Sequence, residues 1–265
     1  MIIESCLEGG GVDGGWSLVV TKVSEEIRRT ANRMAVFLAR QIKDGDRVFH
    51  GVASTLPMTA IMLARRLHAP KLVYLNIPGG VGTRPSKIPL STTGFQLIEK
   101  AQAIFSLTEV FDLSSRGGLD LAFLSGAQID AHGDVNLSFI GDPGNSKVRL
   151  PGGAGSAAIL PTAKRTILWR TVHDQRSFPE SSEYTTASGL VDRVVTPLCI
   201  FKKGEDGHLY LESRHMGVTS EMVQNATGFH VNVLSKIPET AEPSPEELLA
   251  LESVDPDGVH FSEFV

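Results

Sequence analysis

Eight histidines, two cysteines and a few serines beside glycines are the side chains whose types suit a base, a metal ligand or a nucleophile. His50, His68, His132, His173, His208, His215, His230 and His260 form no HExxH pair and no close cluster, so their spacing offers no metal set. Cys6 and Cys199 lack CxxC spacing; Cys199, in an apolar run, reads as a small core side chain. Ser54 stands between a strand candidate and a helix candidate, as a nucleophile elbow would, but its string VASTL lacks GxSxG. It reads instead as a supporting residue at the C-terminal edge of a sheet, where open parallel sheets bind ligands. Two glycine runs say more. Gly79-Gly80-Val81-Gly82 follows a strand candidate, and Gly152-Gly153-Ala154-Gly155-Ser156 precedes a helix candidate. Backbone amides left open by glycine attract phosphate or a developing oxyanion. Neither run continues into GKS or GKT, and no GxGxxG follows the first strand, so neither names a nucleotide. Both also fit plain tight turns.

The elements that must hold these residues follow from periodicity. Ala31, Met34, Ala35, Leu38 and Ile42 fall on one face at helical spacing, which predicts a helix over 24–43, stopped by Lys43-Asp44-Gly45-Asp46. Residues 47–50 (RVFH) read as a strand, 51–55 as a turn, and the run from Pro57 to Leu67 as a helix with proline in its first turn. Residues 71–76 (KLVYLN) read as a second strand. That strand–helix–strand unit predicts parallel neighbours with a right-handed crossover. Residues 77–89 have no period and read as a long surface loop. Helices are expected over 93–103, 106–115 and 152–162, strands over 119–125, 135–140 and 166–170, a tight turn at 131–134 and a loop at 142–146. Residues 199–203 and 208–212 flank Gly204-Glu205-Asp206-Gly207, a hairpin signal, and Thr219 caps a helix over 220–226. Ser244-Pro245-Glu246-Glu247 is a capping box with proline at the first helical position.

The expected fold class is therefore α/β: an open, mostly parallel twisted sheet flanked by helices, with a β-hairpin toward the C-terminus. Residues 1–22, with five glycines between Gly9 and Gly15, read as an arm or interface loop, and residues 23–265 as a single domain. At 265 residues and 42% hydrophobic, the chain can bury a large core without disulfides or metals. Its 25 Lys and Arg against 30 Asp and Glu give a net charge of −5 with no long basic run, which argues against a nucleic-acid binder. No apolar stretch is long enough for a membrane span, and no export signal opens the chain, so a cytoplasmic protein is expected.

One string goes further. Gly126-Ala127-Gln128-Ile129-Asp130-Ala131-His132-Gly133-Asp134-Val135-Asn136, followed by Ile140-Gly141-Asp142, closely resembles the beta subunits of class I CoA-transferases of the glutaconate type. There GGAQID precedes a YGNVN turn and an IGD segment. Residues 41–70 resemble the family's strand, LP-containing turn and helix ending in Ala-Pro. Gly152–Ile159 stands where the family carries a GSGGA-like run, and Asn225-Ala226-Thr227-Gly228-Phe229 resembles its ENTGF stretch.

The resemblance implies a twisted α/β fold and an alpha subunit as partner, in an αβ or α2β2 assembly with the active site between the two. It implies no permanently bound cofactor and no metal; coenzyme A enters as part of the substrate. In that family a beta-subunit glutamate attacks the acyl-CoA, passing through an anhydride and a glutamyl-CoA thioester. Alignment through Ala69-Pro70 before it and Pro85, Pro89 and Ser91 after it places that position at Ile77, which has no acyl-accepting group. Relatives without the glutamate decarboxylate a glutaconyl-type CoA ester or hydrolytically open a cyclic keto acyl-CoA, the latter with its key acid in the alpha subunit. The expected activity is thus an acyl-CoA hydrolase or lyase; the alternatives are a transferase borrowing a carboxylate and a non-catalytic CoA-binding subunit. Ser54, Asn76, Ile77, Gln128, Asn136, Gly152, Gly153, Gly155 and Ser156 are the expected CoA- and substrate-binding residues. Gln128, Asp130 and Asn136 are expected to organise loops rather than react.

Overall fold

The computed structural model describes residues 23–142, 144–233 and 236–264; the expected arm over 1–22 lies outside them. In chain order the strands are β1 (Arg47–His50), β2 (Val73–Leu75), β3 (Gly80–Val81), β4 (Ala103–Ile104), β5 (Leu121–Leu124), β6 (Gln128–Ile129) and β7 (Val135–Asn136). They continue as β8 (Phe139–Asp142), β9 (Asn145–Arg149), β10 (Thr166–Trp169), β11 (Val191–Val195), β12 (Cys199–Lys203), β13 (Leu209–Arg214) and β14 (Asn232–Val233). The helices are α1 (Glu25–Ala39), α2 (Thr55–Leu67), α3 (Leu107–Ser115), α4 (Ser156–Ile159), α5 (Ser220–Ala226) and α6 (Pro245–Val254).

Ten strands form one sheet in the order β14-β13-β12-β11-β10-β5-β1-β2-β3-β4. The middle five, β11-β10-β5-β1-β2, are parallel, and the expected β1–β2 pairing holds, with Val48 opposite Tyr74. Alternation along these strands feeds two cores. Val48, Leu121, Phe123 and Ile167 face α1 and α2, whose Met34, Phe37, Leu38, Ile61 and Leu63 are buried against them. Phe49, Ala122, Leu124 and Leu168 face the other way, toward Ile129, Val135, Ile159 and Phe178. The hairpin β12–β13 is antiparallel around Gly204–Gly207, as its turn residues demand. Ser244 and Glu247 close the expected capping box on α6, and a second one, Ser106 with Glu109, starts α3.

Several elements depart from the sequence expectation. Residues 77–89 are not all surface loop: Asn76 Oδ1 accepts from Gly80 N–H at 2.9 Å, turning the chain into β3, where Gly80 and Thr83 are buried. Gly79 makes this turn with φ of +101°, and a Cβ there would collide with the Phe105 carbonyl oxygen. Residues 93–103 form only the 3₁₀ turn Phe95–Ile98, because Lys100 at φ +53° breaks any helix and sends the chain into β4. The stretch over 135–140 divides into β7 and β8, and the expected loop at 142–146 is the turn of the β8–β9 hairpin. The helix expected over 152–162 shrinks to the four residues of α4: Gly152 at φ +97° and Ala154 at φ +44° keep its first residues out of helix, and Pro161 brings no N–H to continue it. No helix among the described residues is long and apolar enough to cross a membrane.

Candidate active site

The strand order reverses between β1 and β5: one crossover leads from β1 to β2, and the chain then returns to the other side of β1. Open parallel sheets bind ligands at the C-terminal ends of the strands at such a point. A cavity of about 380 Å³ opens there. Phe49, Gly51 and Ser54 from the β1 end, Phe123 and Leu124 from the β5 end, and Trp169 from the β10 end form its floor. Leu107 and Phe111 of α3, Ile77 after β2, and Gly152–Ser156 leading into α4 form its sides.

The expected site residues sort into two sets. Ser54, Ile77, Gly152, Gly153, Gly155 and Ser156 meet in the cavity wall although they span a hundred positions. Asn76, Gln128 and Asn136 do not, and the physical reason is that their amides are spent internally. Asn76, fully buried, donates to Leu97 O at 2.7 Å and Thr83 Oγ1 at 3.1 Å. Asn136 donates to Gln128 Oε1 and Phe139 O, both at 2.8 Å, and accepts from Ser138 N–H at 3.0 Å. These side chains hold the loops that surround the site. Asp130 does the same, its carboxylate accepting from the His132 and Asp134 amides at 2.9 and 3.1 Å.

The backbone at the wall is strained. Ala53 and Ala154, both lining the cavity, hold φ of +48° and +44°, values that cost a residue with a Cβ. Ala53 is pinned by its N–H donating to Thr92 Oγ1 at 2.9 Å. These turns set Ser54 on the floor and the Gly152–Ser156 segment at the side.

Among the described residues in the wall none is charged, and the hydroxyls are those of Ser54, Ser125 and Ser156. Ser125 is committed to the Trp169 carbonyl at 2.7 Å. Behind the floor, fully buried His50 contacts Ser54, and desolvation pushes its imidazole down to about 4. The N-terminus of α2 beside the cavity is already occupied: Glu263 Oε1 accepts from Thr55 N–H at 2.7 Å, with burial raising the Glu263 carboxyl. Cys199 is a core side chain, its thiol pushed up to about 12 by burial. No group of three or more His, Cys, Asp or Glu that could hold a metal occurs among the described residues.

Sequence reasoning passed over the aromatic wall of Phe49, Phe111, Phe123 and Trp169, and gave His50 no role. An apolar residue at a strand end looks like any core residue until the topology shows which strand ends converge.

An apolar cavity at the switch point, edged by a glycine-rich segment, is where a ligand of an open parallel sheet is expected. Comparison with known proteins supplies the class. Residues 31–224 match the family model of coenzyme A transferase, and the chain belongs to that family. It is 32% identical over 243 residues to the B subunit of 3-oxoadipate CoA-transferase from Pseudomonas knackmussii, covering 85% of this chain and 93% of that one. The B subunit of glutaconate CoA-transferase from Acidaminococcus fermentans is 29% identical, over 84% of this chain and 91% of its own length. The cholesterol ring-cleaving hydrolase IpdB subunit of Rhodococcus jostii is 27% identical, over 77% and 83%. Among solved structures, the decarboxylase AibA/AibB superposes with a TM-score of 0.83 at 27% identity, covering 88% of this chain and 97% of the matched one. The relatives thus include B subunits of two-subunit transferases and proteins named for hydrolysis and decarboxylation.

Proposed function

We propose that this chain is the B-type subunit of a heteromeric enzyme that binds an acyl-CoA and breaks it by hydrolysis or C–C cleavage, decarboxylation included, without exchanging its CoA. One observation carries the reading: where the resemblance calls for a glutamate nucleophile, Ile77 stands in a cavity wall that holds no carboxylate among its described residues. An isoleucine accepts no acyl group, but an apolar wall strips water from the acyl chain and strengthens every nearby dipole. The amides of Gly152–Ser156 would polarise the thioester carbonyl, and the acid or base would come from an A-type partner in an αβ or α2β2 assembly. The relatives named for ring cleavage and decarboxylation fit this chemistry.

A transferase using a carboxylate of the partner is the second reading, favoured by the 32% identity to the 3-oxoadipate CoA-transferase relative. The test incubates the purified heteromer with candidate acyl-CoAs, with and without acetate, and follows products by mass. Loss of CO₂ or uptake of water without acceptor supports the proposal. Acceptor-dependent acetyl-CoA formation through a borohydride-sensitive enzyme thioester overturns it.

A further inference from the structure

The half-buried arginines of this chain have partners, with one exception. Arg33, Arg40, Arg47, Arg165, Arg193 and Arg214 each meet a carboxylate at 2.6–3.0 Å. Arg65 donates instead to the Thr83 carbonyl at 2.5 Å. Arg170 is half-buried too, yet its guanidinium makes no hydrogen bond and no ion pair among the described residues, and its Nε is closed off from solvent. Asp174 attracts it only from beyond ion-pair range, and that carboxylate is already taken, accepting from Ser177 N–H at 2.8 Å. Burial outweighs the attraction and pushes the Arg170 guanidinium down. A cation that gives up hydration and regains no partner is a cost that the chain alone leaves unmet.

The fold fixes where this charge stands. Arg170 follows β10 directly, at the C-terminal edge of the parallel sheet. Its backbone is tied on both sides: its N–H donates to Val195 O of β11 at 3.1 Å, and Ser125 Oγ beyond β5 donates to the neighbouring Trp169 carbonyl at 2.7 Å. Trp169 lines the cavity, and Arg170 does not. A ligand seated in the cavity is therefore not its partner, whereas a chain laid over the mouth meets it.

The same edge carries half-exposed apolar side chains. Val52 and Leu107 stand in the cavity wall, and Val172 lies in the loop just past Arg170. Met216 and Met222 follow β13, which ends at this edge because it and β11 both run antiparallel to β12. Methionine and arginine amid apolar surface are the composition of a protein interface.

We propose that this strand-end edge receives the A-type subunit, and that Arg170 is its anchor, a guanidinium placed to take a carboxylate of that subunit. The proposal rests on the heteromer reading above. Docking gives the planar fork an acceptor of matching shape, while the apolar side chains around it exclude water.

The test titrates the full chain with its A-type partner and follows assembly by calorimetry at low and high salt. Arg170→Met keeps the unbranched stem and drops the charge; it should weaken assembly about thirtyfold and flatten its salt dependence. Arg170→Lys keeps the charge without the fork and should fall between. Arg176→Met, at an exposed arginine of the same loop, should change affinity less than about twofold. In the chain alone, Arg170→Met removes an unpaired charge, so its urea midpoint should hold or rise. Parent-like assembly of Arg170→Met overturns the proposal, and so does a lowered midpoint, which would mean a partner within the chain. Parent-like assembly with weakened binding of succinyl-CoA, which carries both phosphates and a carboxylate, would mark a ligand site instead. Failure of the parent chain to assemble with any A-type subunit is a different result: it overturns the heteromer reading, and this proposal with it.

Discussion

The two edges of the parallel sheet are built from the same strands and opposite chemistry. At the strand starts, Arg47 and Lys164 both meet Asp120 at 2.7 Å, and Arg165 meets Asp46 at 2.8 Å. Arg193 joins them through Asp192 at 2.9 Å and Glu212 at 2.7 Å. At the strand ends, beside the part-buried Arg170 and Glu263, three buried imidazoles are held by hydroxyls and carbonyls. His50 lies between Ser54 and Tyr74, His173 between Thr196 and Thr227, and His215 between Thr240 and the Thr196 carbonyl. A half-exposed edge can keep charges because each has a partner and water nearby. A closed edge keeps neutral dipoles, which meet a ligand's oxygen without a counter-charge. The cavity sits at the edge of the strand ends.

Acid should separate the two edges, and this is the largest effect expected. Desolvation pushes His50, His173 and His215 each down to about 4, so the unfolded chain binds protons that the folded chain refuses. Stability is full above pH 6.5 and is lost as pH falls toward 4. Going from pH 7.5 to 5 costs about 2 kcal/mol per group and about 4–6 kcal/mol for the three. The Asp120 carboxyl, by contrast, is held well below the carboxylate range by Arg47 and Lys164, against the opposing effect of burial. Its stabilisation is present above pH ~4 and is lost only below that. Urea midpoints at pH 7.5, 5 and 3.5 check both windows; a flat midpoint between 7.5 and 5 breaks the contrast.

The next effect belongs to the cavity alone. A Cβ at Gly155 would lie 2.9 Å from the Phe111 ring and 3.4 Å from Ile159 Cδ1. Gly155→Val should drive Phe111 into the cavity and lower kcat/KM of the heteromer about a hundredfold, near 2.7 kcal/mol. Unchanged kinetics in a folded heteromer would remove this segment from the site. At the other edge, Asp120→Ala strands Arg47 and Lys164 beside each other. Because these cations are roughly half exposed, the loss should be modest, about 1–2 kcal/mol in urea denaturation, with acyl-CoA affinity kept.

Why part of this was legible in the sequence follows from range. Period-two and period-3.6 patterns set β1, α2, β2 and β5, and caps at Thr219 and Ser244 set helix starts, because each depends on neighbours within a few positions. The β3 and β4 strands and the β8–β9 hairpin were not legible, since two to five residues carry no period and their pairing is fixed from elsewhere. The glycine run and Ile77 were found as motif positions. Asn76 and Asn136 looked like ligand contacts, but their amides are consumed by Leu97 and Phe139 carbonyls that no spacing rule foretells. His50 was passed over for the same reason: its partner Tyr74 lies on the adjacent strand.

The smallest effect bears on Ile77, the residue on which the proposed reaction class rests. Ile77 is half-buried in the cavity wall, with no cation among the described residues lining that wall. A carboxylate placed there loses part of its hydration and gains no counter-charge, so the folded state should raise its carboxyl above the ordinary value near 4.3. The sign follows: a raised carboxyl costs nothing below its unfolded value and destabilises as pH climbs through the folded one. Ile77→Glu should therefore be less stable than the neutral Ile77→Gln by about 1 kcal/mol at pH 8, with the gap narrowing below pH ~5 and closed by pH ~3.5. Taking the difference between the two variants at each pH cancels the histidine effect, which both share. A gap of the opposite sign would mean that a cation reaches the wall. The same Ile77→Glu protein, assembled with its partner, tests the chemistry. If the lost carboxylate is what separates this chain from CoA exchange, acetate-dependent acetyl-CoA should appear in the variant and not in the parent.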